Sequence, residues 1–454
     1  MDDDLADSGN STELILENKN VVVEKVHILG LRKTKADYVV NEVKSVFKSK
    51  TFLQAYKEAI KCQAKLMSKG IFKNVDIWLD TTEAYENASK NGIQVIFNAV
   101  ERNFVVGEVK TEMSNREKPR WVMRLLCPNV LGRGESLSTS LSHTLLSSAS
   151  HIYQPTDFYT SFSKPCGRSK LQATVLKEKQ EYTWTSFNET VRGAEIGYEF
   201  PFMGNMHTIS WNGSWRELAC AAPTTSFLIR KQMGHSLKSS LAHSIVIDKT
   251  DDHLLPRSGV YLKFNEEVAG FGGDVRFLKE NFESQVAFSL SKLTFALGFH
   301  GGLAFAPGGP NAIKANDRFF IGGPLTLRGF DLNSVGNKSV SDYYGSTGYW
   351  IAGAHIYAPL PFCWSRFGRG QWLDNFRSHV FVNAGNAFEP DLRETATNNA
   401  RSALSNVRLS CGLGLVYRFM RSARFELNFC YPLRAAAADK LCDGIQFGIG
   451  VSSV

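Results

Sequence analysis

Nowhere does this 454-residue chain approach the ~18–20 consecutive apolar residues of a membrane-spanning helix, which excludes a helical membrane protein. No secretory leader and no Arg-rich presequence is expected either, because the N-terminus reads Met1-Asp2-Asp3-Asp4, with neither a basic stretch nor an apolar core behind it. There is no Cys-x-x-Cys among the eight cysteines and no regular spacing between them, so the expectation is free thiols rather than a disulfide framework. Enzyme signatures are missing too. Gly-x-x-x-x-Gly-Lys-[Ser/Thr], His-Glu-x-x-His and Gly-x-Ser-x-Gly do not occur, and the ten histidines do not pair with cysteines at metal-ligand spacing. The residues therefore give no reason to expect an enzyme, a metal or a cofactor, or a nucleic-acid partner.

What is present is 12% aromatic residues, 37 glycines and a charge of +8 that is unevenly spread. Residues 1–20 carry a net −5 and read as a flexible acidic tail, whereas residues 21–104 carry +5 and the remainder +8. A basic folded region suits anionic lipid headgroups or acidic peptides, although an ordinary solvated surface has the same composition. On average the chain is only mildly hydrophilic. One membrane class hides from any averaged scale, because its strands alternate lumen-facing and lipid-facing side chains: the β-barrel.

Residues 21–104 read as a compact α/β unit. The β-branched run Val21–Leu29 predicts a strand that stops at Gly30. Ala36, Val39, Val40, Val43, Val46 and Phe47 recur at helical spacing, as do Phe52, Ala55, Ala59, Cys62, Leu66 and Met67 before Gly70. Strands at Ile71–Leu79 and Ile93–Val100 complete a β-α-α-β-β order, with a sheet edge free to pair with an extended peptide. Beyond residue 104 the helical period vanishes. Runs such as Val286–Phe299, Arg408–Phe419, Arg424–Tyr431 and Gln446–Val451 alternate in polarity between turn-forming clusters. Tilted membrane strands need about 9–11 residues each. Residues 105–454 then supply about sixteen of them, a mainly β fold in which a transmembrane antiparallel barrel follows the small α/β domain. A β-propeller would show a blade repeat and a large sandwich an internal break, and neither is evident.

The sharpest local feature is the run 318–330, containing Arg318, Phe319, Gly322, Gly323, Arg328, Gly329 and Phe330, inside a long low-hydrophobicity segment near 306–347. A structureless segment of that length is a functional loop rather than a turn. Paired glycines permit positive φ, and an Arg-Gly-Phe tip suits a partly polar cavity in which the guanidinium seeks carboxylate or carbonyl partners. An ordinary glycine-rich surface loop remains the alternative on these residues alone.

This run resembles the sixth external loop of the superfamily of POTRA-plus-barrel assembly proteins, which includes the central subunit of the bacterial BAM complex and the mitochondrial sorting and assembly machinery (SAM). The unit at 21–104 resembles a single POTRA domain. The segment Pro128–Glu135 resembles the family's turn after the second barrel strand, His379–Asn386 a late strand, and Cys442–Val451 the closing strand. A single POTRA unit without a leader points to the mitochondrial branch. The resemblance implies an integral outer-membrane barrel with the POTRA domain in the intermembrane space. It further implies insertion of unfolded, porin-like β-barrel precursors, with accessory SAM subunits, the inner-membrane organising complex and membrane lipids as partners. Passive pore activity and a structural bridge between the two membranes are the alternative roles.

The resemblance also implies a lateral gate. Its first strand is Val105–Met113, with Val105, Gly107, Val109 and Thr111, and its last is Ile445–Ser453, with Gln446, Gly448, Gly450 and Val451. Two departures stand out. Bacterial members carry acids where this chain has Asn383 and His355, so the partner of Arg328 must lie elsewhere or be neutral. Glu426 is the candidate, because in Phe425-Glu426-Leu427-Asn428 it falls on the polar side of its run. The closing strand fits the eukaryotic polar-x-Gly insertion pattern at Gln446, Gly448 and Val451, but Ser453 replaces its last apolar residue.

Overall fold

The computed structural model describes residues 19–82, 89, 91–112, 119–144, 156–360, 372–419 and 423–451. By contacts it divides into two compact units: the described residues of Met1–Glu108, Arg124–Thr139 and Thr160–Gly167, and those of Val109–Met123, Ser140–Tyr159 and Arg168–Val454. The sequence places a boundary at residue 104, whereas contact places the ends of several later strands with the α/β unit.

In the first unit, β1 (Val22–Leu29), α1 (Ala36–Val43), α2 (Phe52–Ser68), β2 (Phe72–Thr81) and β3 (Gly92–Glu101) follow the expected β-α-α-β-β order. The sheet order is β1-β3-β2, with β1 parallel and β2 antiparallel to the central strand. Val39, Val43, Ala55, Ala59, Cys62 and Leu66 line the inward faces of the helices and pack on Val75, Val95 and Phe97. These helical-period positions supply the unit's core, whereas Val40, Phe47 and Met67 of the same series are exposed, and Val46 and Phe47 fall in a 3-10 turn that follows α1. The Thr51 side chain caps α2 by accepting from Gln54 N. Of the tail expected at 1–20, residues 1–18 lie outside the described residues. Lys19 and Asn20 belong to the fold instead, since Phe52 N donates to Lys19 O and Asn20 bridges Thr51.

The loop after β1 is stitched to the turn at 128–135 within the same unit. Lys35 N donates to Gly132 O at 2.8 Å, Asn129 Nδ2 donates to Thr34 Oγ1 at 2.8 Å, and Arg133 meets Asp37 at 2.7 Å.

A single 16-stranded sheet accounts for most of the chain. It comprises β4 (Val106–Glu112), β5 (Arg120–Cys127), β6 (Ser136–Thr144), β7 (Thr156–Cys166), β8 (Ser169–Tyr182), β9 (Phe187–Phe202), β10 (Asn205–Cys220) and β11 (Gly234–Asp248). It continues through β12 (Gly259–Ala269), β13 (Phe277–Leu290), β14 (Leu293–Phe305), β17 (Gly348–Pro359), β18 (Phe376–Phe388), β19 (Arg408–Phe419), β20 (Ala423–Arg434) and β21 (Gly444–Val451). Neighbours in sequence pair throughout, apart from the β14–β17 step, where a long loop carrying the small hairpin β15 (Lys338–Ser339) and β16 (Asp342–Tyr343) intervenes. Short helices α3 (Phe227–Arg230) and α4 (Ala396–Leu404) sit in the loops after β10 and β18.

One run divides differently from its expected form. Val286–Phe299 is not one strand but the ends of β13 and β14, joined by a turn at Ser291-Lys292 in which Ser291 has φ 57°. The turn is so short that outward-facing Val286, Phe288 and Leu290 are followed by Leu293, Phe295 and Leu297 with only a one-residue slip in the apolar alternation to mark the reversal.

Register separates the two faces of the sheet. Leu241, Val268, Phe282, Leu297, Val380, Leu413, Phe429 and Phe447 all point outward and are exposed. The opposite parity holds buried polar groups, including Arg216, His379, Asn383, Glu426, Asn428 and Gln446. An apolar exterior around a polar interior is the pattern of a barrel in lipid rather than of a water-soluble sandwich. The loop between β14 and β17 meets this interior from two directions: Asp317 bonds to Arg216 on β10, and Arg328 bonds to Glu426 on β20. The sheet therefore curls around the loop.

Candidate functional site: the loop inside the sheet

Gly322 and Gly323 turn the loop with φ 113° and 118°. A Cβ on Gly322 would lie 2.5 Å from Asp331 O, so no other residue fits this turn without displacing backbone. Phe330, Leu327, Ile321 and Val335 pack with Ile351 of β17 into a buried cluster that shapes the tip. The tip is sewn to the last two strands of the sheet. Gly329 N donates to Gln446 Oε1 at 3.1 Å, Gln446 Nε2 donates to Phe330 O at 2.9 Å, and Cys442 N donates to Gly329 O at 3.0 Å. Gly448 leaves room for the loop, because a Cβ there would lie 3.1 Å from Pro324 Cβ and 3.2 Å from a Leu325 methyl.

Arg328 meets Glu426. Its Nε and Nη2 both donate to Glu426 Oε2, at 3.1 and 2.8 Å, while the guanidinium lies 5.2 Å from the Phe381 ring centre. The other carboxylate oxygen is 2.7 Å from Arg424 Nη2. Asn428 Nδ2 donates to Oε2 at 2.9 Å, and the chain continues from Asn428 Oδ1 to His379 and from His379 to His355. One buried carboxylate thus serves two guanidiniums.

The two other partners expected for Arg328 are not its partners. His355 Nδ1 is bonded to His379 Nε2 at 3.0 Å instead, because the rings of neighbouring strands β17 and β18 stack at 5.2 Å between centroids. Asn383 is buried, but its amide atoms have no hydrogen-bond partner among the described residues and line a cavity of about 280 Å³. That cavity also touches Arg328, Arg424 and His355; a second, of about 590 Å³, is lined by Arg318, Phe319 and Lys279.

Arg318 is a different kind of residue from Arg328. It braces the base of the loop, donating to Ile313 O, Pro310 O and Glu389 Oε1 at 2.9, 2.8 and 3.1 Å. Phe319 packs on Tyr349 at 4.8 Å under Lys279 Nζ. Sequence reasoning missed the second buried anchor, Asp317, which accepts two bonds from Arg216 at 2.8 and 3.0 Å. Asp342 was missed as well; it accepts from Ser186 Oγ and from Ser226 N. The available signal for Arg216 was its parity with Asn212 and Ser214 between the outward Trp211 and Trp215. Outside the strands, Lys440 lies 2.6 Å from Asp331, and that hydrogen bond raises the lysine's pKa.

The expected gate strands stand at the two ends of the sheet order, which begins at β4 and finishes at β21. Val105 falls just before β4, while Gly107, Val109 and Thr111 lie within it and are exposed. In β21, Gln446 and Gly448 face the interior against the loop. Met113 and Ser453 lie outside the described residues.

Comparison with known proteins decides the family. The Omp85 superfamily domain matches residues 129–452. The chain belongs to the Omp85 superfamily. Within it, Sorting and assembly machinery component 50 homolog A of Xenopus laevis is 41% identical over 96% of this chain and 92% of its own length. The human Sorting and assembly machinery component 50 homolog is 39% identical over 96% and 91%. Among solved structures, BamA from Haemophilus ducreyi lacking POTRA domains 1–3 superposes with a TM-score of 0.74 at 16% identity, covering 96% of this chain and 85% of that one. That likeness is one of fold. As an Omp85 barrel, this chain has its outward apolar face in lipid, and Trp211 and Trp215 belong to that face.

The loop seat on β21 is testable through Gly448. Gly448→Val is expected to destabilise the barrel by about 1–3 kcal/mol through overpacking against Pro324 and Leu325. Gly450→Val is the control, since a Cβ there meets nothing closer than 3.8 Å. Urea unfolding of the protein in vesicles measures both, and equal midpoints would refute the seat.

Proposed function

We propose that this chain inserts β-barrel precursors into the mitochondrial outer membrane through a lateral seam between β4 and β21. The observation that carries the reading is the end-to-end order of the sheet, with the first and last strands as its two free ends and no ladder joining them among the described residues. In hydrocarbon an unpaired strand edge costs several kcal/mol per backbone group. An incoming precursor strand satisfies such an edge by β-augmentation. No covalent step is required, because the folding free energy of the product drives the exchange. Gly107 on β4 and Gly448 and Gly450 on β21 weaken pairing along that edge.

The names and extent of the relatives support the same role, since they are sorting and assembly machinery components matched over almost their full length. The β-α-α-β-β unit is read as the POTRA domain, on the intermembrane-space side, where its sheet edge can hold an extended precursor segment. Accessory subunits of the machinery and inner-membrane organising proteins are its proposed partners. A passive pore is the weaker reading, because the loop crosses the interior between its anchors on β10 and β20.

The test has two arms. Depleting the protein is expected to slow the conversion of newly made porin into its folded, protease-resistant form, and unchanged kinetics would sink the insertase reading. Paired cysteines scanned across positions 107–111 and 446–450 should then arrest assembly when oxidised and release it on reduction. Insertion that continues through an oxidised seam would reject lateral opening while leaving the assembly role intact.

A further inference from the structure

The lipid-facing side of the sheet is not uniformly apolar. From β14 through β17 to β21, the outward positions carry no acid, base or histidine among the described residues apart from Arg434, at the bulged end of β20 opposite Leu409. On β10 to β13 the outward register contains, besides the Glu217–His235 pair at the other end of β10 and β11, an oblique row of four ionisable side chains: His207, His243, Glu266 and Glu280. His207 Nδ1 lies 3.2 Å from His243 Nε2, and His243 Nδ1 lies 3.6 Å from Glu266 Oε2. Glu266 stands directly opposite Glu280 in the β12–β13 ladder, and Glu280 has no hydrogen bond or ion pair with any described residue.

These residues are set among lipid-facing apolar ones. His243 stands between outward Leu241 and Ile245, Glu266 between Phe264 and Val268, and Glu280 between Leu278 and Phe282. Nor is the row confined to a strand end. His243 stands nine and five residues from the ends of β11, and Glu266 and Glu280 each stand three residues inside the strand ends that flank the β12–β13 loop, so the row lies on the strands and not in a loop. Like charges directly opposite one another destabilise a sheet even in water, and carboxylates facing hydrocarbon are costlier still. Barrel folding alone supplies no compensation for Glu280.

We infer that this row is the docking site for a single transmembrane helix of a partner protein, one that carries a lysine or arginine within its span. The charge identifies the occupant. Two adjacent carboxylates, one of them unpartnered, call for a cation at bilayer depth. Only a backbone that satisfies its own hydrogen bonds brings one there, and a single segment does so as a helix. The apolar flanks on either side of the row would pack along the remainder of that helix. The inference concerns the outer wall of the barrel and does not depend on the seam.

The test uses the full-length protein in phosphatidylcholine vesicles, with Leu241 replaced by a photo-crosslinking phenylalanine analogue. The probes are synthetic leucine-alanine helices that differ at one central residue. The lysine helix is expected to cross-link at position 241 at least about ten-fold more than the leucine helix, a ratio that corresponds to a tenfold affinity difference. The glutamate helix should cross-link less than either. Placing the analogue at Leu413 on β19, where the outward face is apolar, should show no preference for lysine. Glu266→Gln with Glu280→Gln should abolish the preference in a barrel that keeps its heat-modifiable mobility. Equal cross-linking of the three helices would overturn the proposal, and that comparison needs no variant in the row. So would a lysine preference that survives the double substitution, or cross-links joining two barrels in place of barrel and helix.

Discussion

Glu426→Ala is expected to release the loop from the barrel wall and to destabilise the protein by about 3–5 kcal/mol, the usual cost of removing one partner from a buried ion pair. The reason lies in the geometry. Glu426 is fully buried, and its two oxygens face Arg328 at 2.8 Å and Arg424 at 2.7 Å. Without it two guanidiniums share a low-dielectric interior with no carboxylate in contact, and Asn428 loses its acceptor. Glu426→Gln keeps the shape and one acceptor oxygen, so a smaller loss is expected. Arg328→Ala should also cost less than Glu426→Ala, because Glu426 retains Arg424. The double variant Arg328→Ala/Glu426→Ala should recover part of the sum, since Arg328→Ala removes a charge that Glu426→Ala leaves stranded. Urea midpoints and the heat-modifiable mobility of the barrel read the stability, and protease access to the 318–330 segment reads the docking. Unchanged stability and protection in Glu426→Ala would mean that the pair does not hold the loop.

The second large effect is expected at the other anchor. Asp317 and Arg216 are 5% and 4% exposed and form a two-bond pair at 2.8 and 3.0 Å. The two partners are not equivalent. Asp317 also has Lys238 Nζ at 3.8 Å, and Lys279 Nζ donates to its backbone oxygen. Removing Arg216 therefore leaves the carboxylate with cations still near it, whereas removing Asp317 leaves three cations crowded together. Glu267, bonded to Lys238 at 2.6 Å, and buried Glu189, within electrostatic reach of Arg216, then offset only part of that charge. Asp317→Ala is expected to cost about 3–5 kcal/mol and Arg216→Ala distinctly less. A reversed order in urea unfolding would show that the guanidinium, and not the carboxylate, organises this corner.

Much of this architecture is legible in the chain because it depends on local period. The spacing of Val39, Val43, Ala55, Ala59 and Leu66 announces two helices and names their buried faces before any contact is known. The alternation in Phe425-Glu426-Leu427-Asn428 puts Glu426 and Asn428 on one side of a strand and Leu427 on the other, as the structure has them. That made Glu426 a nameable partner for Arg328 across 98 residues. Where period carries no information, reading fails. The reversal at Ser291-Lys292 leaves only a one-residue slip, from Leu290 to Leu293, in an otherwise continuous apolar alternation. The Asp317–Arg216 pair, 101 residues apart, has no local signature beyond the parity of Arg216.

By itself, then, the sequence determined that the chain beyond residue 104 is built of alternating strands, which side chains within a run share a face, and that the Arg-Gly-Phe loop needs an acidic or carbonyl partner. Each is a property of neighbouring residues, governed by the twofold alternation of a strand or by the chemistry of one guanidinium. Only the tertiary structure decided which faces meet. It seated the loop tip on Gln446 and Gly448, gave His355 to His379 instead of Arg328, left Asn383 facing a cavity, and aligned His207, His243, Glu266 and Glu280 across four strands. Those pairings follow from how the sheet curls and from its strand-to-strand register, long-range quantities that no window of the chain contains.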